Sequence, residues 1–381
     1  MFEKFNLSDN SFPVTPGNQV PVRWFGFPSL RQEFERYLYR STEEALRLCI
    51  LNRGQLGAGK THAARYFETL CTSPPTRGPY EYFIPLVIES PKQPRDAFAD
   101  FAARLINAAT FPRITKASEN LRLLMGDEGL FSELREATGS EDIAAVLGRL
   151  DTSTALRART FLAGGGSAKQ LEQLGVAKRI KSDHEFALAV IGVLYLLIHG
   201  QSGSKHSLSR VLLWIDEMED LVYFPTRYYM PFTQALREVI DRSDEHLTLM
   251  LNFTFSEPED LPAIENVLGQ AIMQRVNYHI IFNQPTSDDL KSYLLDLFAA
   301  NRLHGPADRT TFPFREDAFA SLLDAAAGRT PRFLNKLCDA LLRDIVDAAD
   351  VDTALRDGGI TVQTLTEMLP RITAQLEEAR N

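Results

Sequence analysis

Leu46-Arg-Leu-Cys-Ile-Leu-Asn-Arg-Gly54-Gln-Leu-Gly57-Ala58-Gly59-Lys60-Thr61-His62-Ala-Ala64 is the stretch on which the fold turns. Residues 46–51 are short and mostly apolar, which predicts a buried strand. Gly54 to Thr61 matches GxxxxGK(S/T) in full, and the apolar spacing from His62 to Leu70 predicts a helix. A strand, a glycine-rich loop and a helix in that order make a phosphate cradle. Gly54, Gly57 and Gly59 let the backbone curl and aim its N–H groups at phosphate oxygens. The helix that starts near Gly59 adds its positive dipole end. Lys60 places a point charge on the outer phosphates, and the Thr61 hydroxyl suits Mg²⁺. Ala58 and His62 lie within and just after the loop and join the candidate nucleotide-binding set.

Working outward, Val211-Leu-Leu-Trp-Ile215 is a second apolar run, and it ends in Asp216-Glu217. A carboxylate at the C-terminal end of a strand faces the crevice where open parallel sheets hold their ligands. Asp216 is the candidate metal residue, together with Thr61, and Glu217 the candidate base that polarises an attacking water. Taken alone, this pattern reads equally as a strand that ends in solvated acids; beside the phosphate loop the catalytic reading prevails. A third run, Leu247 to Phe253, carries Asn252 near its end, followed by Thr254 and Ser256. Asn252 is preferred over Thr254 as a phosphate and water contact because an amide offers both a donor and an acceptor. A plain strand end that breaks into a polar turn stays open.

The 381 residues allow a large core and two or three compact units. Hydrophobic residues at 44% and charged residues at 24% suit a globular chain. The most apolar stretch, residues 186–199, is too short to span a bilayer and predicts a buried helix. The opening residues MFEKFNLSDNSF lack the basic-then-apolar order of a secretory signal, so a cytoplasmic location is expected, with no membrane partner. Cys49, Cys71 and Cys338 show no pairing or metal spacing and read as core residues. The net charge of −9 lacks the basic surplus usual in a protein that coats nucleic acid, though it allows a local basic patch.

At this point the residues resemble the AAA+ ATPases, in particular the initiator-like branch with origin-recognition and transposition-regulator ATPases. Beyond the two motifs above, the resemblance rests on three further segments. They are Ala271-Ile-Met-Gln-Arg275-Val before the strand Tyr278 to Phe282, the stretch from Gln284 to Leu295, and Gly328-Arg-Thr-Pro-Arg332-Phe-Leu-Asn335. It implies ATP as the nucleotide, hydrolysis to ADP and phosphate, and assembly into a ring or helical homo-oligomer. It also implies that Arg275 completes a neighbour's site and that Arg332 reaches the γ-phosphate of its own subunit. Arginine suits both tasks, since it stays charged and its planar fork grips phosphate oxygens. Arg237 and Arg242 are rivals to Arg275. Val22-Arg-Trp-Phe25-Gly26-Phe-Pro resembles the family segment that lines the adenine, and the same aromatic cluster reads equally as plain packing.

The expected architecture is α/β: a five-stranded parallel sheet with helices on both faces, a helical insertion between the second and third strands, and a C-terminal helical lid. The expected boundaries are an extension at 1–20, a nucleotide-binding core at 21–109 and 182–285, an insertion at 110–181, and a lid with a last helix at 286–381. Within the insertion, Gly164-Gly165-Gly166 and the basic residues Lys169, Lys178, Arg179 and Lys181 read either as a mobile basic tip or as a flexible link before a solvated helix end. Two functions remain in play. One is an ATP-driven switch in a DNA transaction such as transposition, recombination or defence against foreign DNA. The other is an ATPase that remodels or signals to a protein partner, which the acidic balance favours.

Overall fold

The computed structural model describes residues 2–9, 11–13, 22–44, 46–73, 79–201, 209–255, 261–305, 308–348, 351–355 and 358–378. Helix α1 (Pro28–Glu44) leads into β1 (Leu48–Gly54), α2 (Lys60–Thr72), β2 (Phe83–Glu89) and α3 (Ala97–Ala109). Helices α4 (Phe111–Thr138), α5 (Glu141–Gly148), α6 (Ala155–Leu162), α7 (Ala168–Leu174) and α8 (Asp183–Gly200) precede β3 (Arg210–Asp216). Then come α9 (Thr226–Arg242), β4 (Leu247–Thr254), α10 (Leu261–Met273) and β5 (Tyr278–Phe282). The chain closes with α11 (Ser287–Asn301), α12 (Glu316–Ala325), α13 (Pro331–Asp347), α14 (Val351–Leu355) and α15 (Val362–Glu378). Two compact units divide these elements. One comprises Phe34–Arg53 and Phe67–Ile281, the other Met1–Glu33, Gly54–Tyr66 and Phe282–Asn381.

The first unit is built on the expected five-stranded parallel sheet, in the order β2-β3-β4-β1-β5. Register is set by Phe83 opposite Arg210 through Glu89 opposite Asp216, and by Val211 opposite Leu247 through Ile215 opposite Leu251. Every residue of β3 is buried, as is β4 up to Phe253. Continuous burial of this kind belongs to a parallel strand covered on both faces. The connection after β1 runs toward β2 while that after β4 runs toward β5, so neighbouring strands send their crossovers in opposite directions. That is the switch point at which such sheets bind ligands.

Strand β1 starts two residues later than the apolar run suggests. Arg47 is spent on the carbonyls of Ile240, Asp241 and Ser243, at 2.5, 3.0 and 2.9 Å.

Residues between α3 and α8 share the sheet's core. Ile114, Leu121, Leu134, Ile143 and Leu147 pack in the same cluster as Leu194, Leu213 and Leu249. Helix α4 loses helical geometry at Gly126 (φ 76°, ψ 171°). The glycine triplet is a packed turn: Gly164 abuts the Phe186 ring and the Ile180 carbonyl, and Ser167 and Gln170 form a capping box on α7. Lys178 spends its charge on Glu185, 2.7 Å away. Helix α8 is long and apolar enough to cross a membrane by length and composition, yet 72% of its apolar window is buried inside the protein. Ser182 and Glu185 cap its start.

The second unit has its own core. Leu294, Phe298, Phe319, Leu337 and Leu341 come from α11 to α13, and Leu365 and Ile372 from α15. The N-terminal residues contribute Phe2, Phe5, Leu7 and Phe12 to this same core, with the Phe12 and Phe298 rings 6.1 Å apart edge to face. The acceptor of the Asn335 amide takes the Tyr293 hydroxyl at 3.0 Å, and its N–H donates to the Pro13 carbonyl at 2.6 Å.

Candidate nucleotide site

The phosphate loop follows β1 directly, and α2 begins at Lys60. Its backbone curls through Gly57 (φ +82°) and Gly59 (φ +105°), a region that L side chains rarely adopt. Gly54 is needed for a different reason, because a Cβ there would fall 2.5 Å from the Cβ of Phe282. The Lys60 ammonium is buried and donates to the Gly54 and Gln55 carbonyls at 2.7 and 3.0 Å.

Two further elements close on this loop within the same unit. A Cβ on Gly57 would lie 2.8 Å from the Cβ of Arg332, so the first turn of α13 rests directly on the loop. Arg332 sits just inside that helix's N-terminus, where a cation is disfavoured. Among the described residues it has no ion-pair partner. A narrow cleft beside the loop is lined by Phe27, Gln55, Ala58, Phe282, Pro285 and Thr330.

Phe25 and Gly26 are engaged elsewhere. The Phe25 ring stacks on His62 and meets Tyr293 edge-on at 6.3 Å, and the Gly26 N–H donates to Asp296 at 2.9 Å. Of this segment, it is their neighbour Phe27 that lines the cleft. His62 Nε2 carries its proton toward the Arg23 carbonyl at 2.8 Å, since a carbonyl only accepts. Burial lowers the His62 pKa, against that hydrogen bond. His62 therefore clasps the segment before α1, and Thr61 lies at the start of α2 beside Lys60.

The acidic residues belong to the other unit and converge at the ends of β3 and β4. Asp216 is 6% exposed and Asn252 fully buried. Asn252 Nδ2 donates to Asp216 Oδ1 at 2.9 Å, and the Glu217 N–H donates to the same oxygen at 3.1 Å. The acceptor side of Asn252 is filled by Trp214 Nε1 at 2.8 Å and Asn52 Nδ2 at 2.9 Å. The sequence argument for Asn252 as both donor and acceptor is thereby narrowed: its oxygen is occupied. The rival Thr254 has its N–H held by Glu219 at 2.9 Å, and Ser256 lies outside the described residues.

Glu217 leaves the strand in a left-handed conformation (φ 57°, ψ 37°), a strained state for a non-glycine residue. Ser90 Oγ donates to its carbonyl at 2.7 Å. Lys92 donates to its carboxylate and, at 2.7 Å, to Asp220. Burial opposes the charge on Lys92, and the hydrogen bonds with Asp220 and Glu217 outweigh it, so the Lys92 pKa is raised.

Arg275 lies past α10, with two of its guanidinium nitrogens on Asp241, one of them at 2.7 Å, and a third on the Ala271 carbonyl. The Asp241 hydrogen bond, working against burial, raises the Arg275 pKa. Arg237 also reaches Asp241, at 3.4 Å, and Arg242 pairs with Glu238 at 3.1 Å.

Phe27, Asn52, Lys92 and Trp214 were not singled out by sequence reasoning. Phe27 had a signal, since it stands in the aromatic run with Phe25. The other three have roles defined by partners on distant strands.

No protein-family model matches the chain, and no curated protein matches it. Among solved structures, one of C. elegans PCH-2 matches with a TM-score of 0.39 and 13% identity, over 93% of this chain and 71% of that one.

Proposed function

We propose that the protein is an ATP-hydrolysing switch of the AAA+ type that works as a homo-oligomer. The observation that carries this reading is the hydrogen bond between Asn252 and Asp216 at adjoining strand ends, with Glu217 next in sequence. A carboxylate, an amide and a candidate base at adjoining C-terminal strand ends support the reading, because parallel sheets hold their ligands beyond such ends.

The residues suit a magnesium nucleotide. Among the described residues, Gly59 has no neighbour within 4 Å of a would-be Cβ, so the space beside that glycine is open. Among the described residues no group of three His, Cys, Asp or Glu could hold a metal by itself. Mg²⁺ is commonly held by one or two protein oxygens together with phosphates and waters. Bound with the nucleotide, Mg²⁺ supplies charge neutralisation on the phosphate oxygens. Asp216 and Thr61 are the oxygens that would hold it. Lys60 and the first N–H groups of α2 bind the phosphates, and Arg332 adds a cation from α13. Glu217 accepts the proton of the attacking water. Arg275 is the candidate for a neighbouring subunit's site, since arginine forks suit that role.

For the biological task we favour regulation of a DNA transaction, on the resemblance to initiator-like ATPases. A protein-directed switch is the second reading, favoured by the net charge of −9. The test is steady-state ATP hydrolysis against protein concentration, with and without duplex DNA and at two salt concentrations. Lys60→Ala is expected to abolish nucleotide binding. Glu217→Gln is expected to retain nucleotide while nearly stopping turnover. Stimulation by DNA that fades with salt supports the first task. A rate that climbs with protein concentration and ignores DNA supports the second, and a wild-type protein without nucleotide hydrolysis ends the proposal.

A further inference from the structure

The polarity of the buried amide network at the ends of β1, β3 and β4 is determined by one side chain that can only donate. An indole nitrogen carries a hydrogen and accepts nothing. Trp214 Nε1 therefore requires the oxygen of Asn252 at 2.8 Å, and the NH₂ of Asn252 is turned toward Asp216. This removes the usual ambiguity in the orientation of an amide. Asn52 follows from it: its NH₂ must face the same Asn252 oxygen, at 2.9 Å. Both lone pairs of that oxygen are then filled. Hydrogen bonds run one way, from Trp214 and Asn52 through Asn252 to Asp216 Oδ1.

Asn52 bears a cost for this. Its own Oδ1 is buried and has no hydrogen-bond partner among the described residues. An unsatisfied buried acceptor is destabilising, and a leucine of similar volume would avoid it. Asn52 and Trp214 are both fully buried, so solvent offers no relief. Packing alone gives no reason for an amide at this position.

We infer that Trp214 and Asn52 are positioning residues that lock the Asn252 amide as a pure donor and, through it, hold the Asp216 carboxylate in one plane. Oδ1 of Asp216 receives Asn252 and the Glu217 N–H, and these two donors fix the carboxylate, whose Oδ2 would be the oxygen offered to a metal ion. The same lock leaves Asn252 one N–H beyond the one on Asp216, and no acceptor. Asn252 thus cannot take a proton or a hydrogen bond from the attacking water. That task falls to Glu217 alone. The inference rests on the hydrolytic reading above for its consequence, but not for its geometry.

The experiment has an arm for each. In the protein without nucleotide, the two tryptophan indole N–H resonances are followed by ¹H–¹⁵N spectroscopy, and Trp214→Phe identifies which is which. Asn252→Leu is expected to move the Trp214 resonance and speed its exchange with solvent, while that of Trp24 stays put. An unmoved, unprotected Trp214 resonance overturns the network, whether or not the protein hydrolyses ATP.

The second arm is a double-mutant cycle on kcat and on the Mg²⁺ concentration at half-maximal rate. Loss of one buried hydrogen bond predicts that Trp214→Phe lowers kcat about two- to tenfold and raises the Mg²⁺ requirement, with KM for ATP nearly constant. Combined with Asn252→Leu, it should add nothing further. Additive losses would mean that Trp214 acts through packing, and unchanged Mg²⁺ dependence would overturn the positioning of Asp216. If Trp214→Phe lowers the melting temperature too far to assay, Asn52→Leu runs the same cycle from the other donor. A wild-type protein that hydrolyses nothing refutes the proposed function and leaves the spectroscopic arm to judge the network.

Discussion

Replacing Lys92 with methionine is expected to speed ATP hydrolysis, and the size of the effect follows from the contacts of the Lys92 ammonium. It donates to the Glu217 carboxylate, sits 2.7 Å from Asp220 and approaches Glu89 at 3.9 Å. A carboxylate that accepts from an ammonium is a weaker base toward water, so turnover requires Glu217 to let go. The side chains of Lys92, Glu217 and Asp220 are 36, 48 and 35% exposed. The pair therefore belongs with screened surface ion pairs, worth about 0.2–1 kcal/mol. Removing that hold raises kcat by about 1.5- to fivefold. Methionine retains the length of the stem and discards the charge.

A companion substitution gives the opposite sign. In wild type, Asp220 shares the ammonium with Glu217; Asp220→Asn leaves Glu217 as its nearest carboxylate, with Glu89 at 3.9 Å, and should slow turnover. Added salt screens the pair, so wild type should approach Lys92→Met as ionic strength rises. The assay is steady-state hydrolysis at saturating nucleotide and magnesium, at low and high salt. A slower Lys92→Met enzyme together with a faster Asp220→Asn enzyme would refute the reasoning, because Lys92 would then be aiming Glu217 rather than restraining it.

Three other substitutions test separate parts of the structure. Gly57→Ala places a side chain at φ +82° and 2.8 Å from Arg332 Cβ, so thermal unfolding should reveal a loss of about 1–2 kcal/mol or more; a variant as stable as wild type would contradict that contact. Arg275→Ala should abolish the dependence of specific activity on protein concentration, and Asp241→Ala, which releases Arg275 and Arg237 but keeps both arginines, should retain it. Equal losses in both would make the pair purely structural. Glu185 is hydrogen-bonded by Lys178 and, against the cost of burial, by the N–H groups of Lys181 and Ser182, which lowers its pKa from 4.5 to about 2. A depressed carboxyl pKa stabilises above 4.5 and loses that share as pH falls toward 2. The melting-temperature gap between wild type and Glu185→Gln should close over that window, and a gap independent of pH would dismiss the assignment.

Strands β1, β3 and β4 and the phosphate loop were legible because each is a local pattern: an apolar run, a glycine spacing, a carboxylate at a run's end. Strand Tyr278 to Phe282 even has the bounds its pattern suggests. What escaped notice depends on contacts between residues far apart in the chain. MFEKFNLSDNSF has no helical or strand period, so nothing in it announces that Phe2, Phe5, Leu7 and Phe12 complete a core made by helices near the other end of the chain. Lys92 reads as one more loop cation until β2 and β3 pair and bring it to Glu217. The glycine triplet looked mobile because glycine lacks a side chain, and Gly164 is placed against Phe186 for that same reason. Asn252 was chosen for its two-sided chemistry, and the fold uses up one side.

Buried polar side chains elsewhere in the protein set a standard against which that choice can be judged. Ser41, Ser118 and Thr138 are fully buried, and each donates to a backbone carbonyl, of Leu38, Leu147 and Leu134 respectively. Their hydrogen-bonding needs end where they begin, and they serve helix packing. At the N-terminal edge of the sheet, Asp244 gathers the rings of His199 and His246 and the His246 N–H, which shapes the entry to β4. The set at the opposite edge differs in kind. Asn52 has a buried acceptor without a partner among the described residues, Glu217 holds a strained backbone, and Asp216 has one oxygen bound twice. Each is a local departure from the cheapest packing, and all lie at the C-terminal ends of strands or one residue beyond. Buried polar atoms without a partner among the described residues also occur at the N-terminal edge, in Arg210, Ser243 and Thr248, so it is the carboxylates gathered with the amides at the C-terminal ends that support the proposed site there.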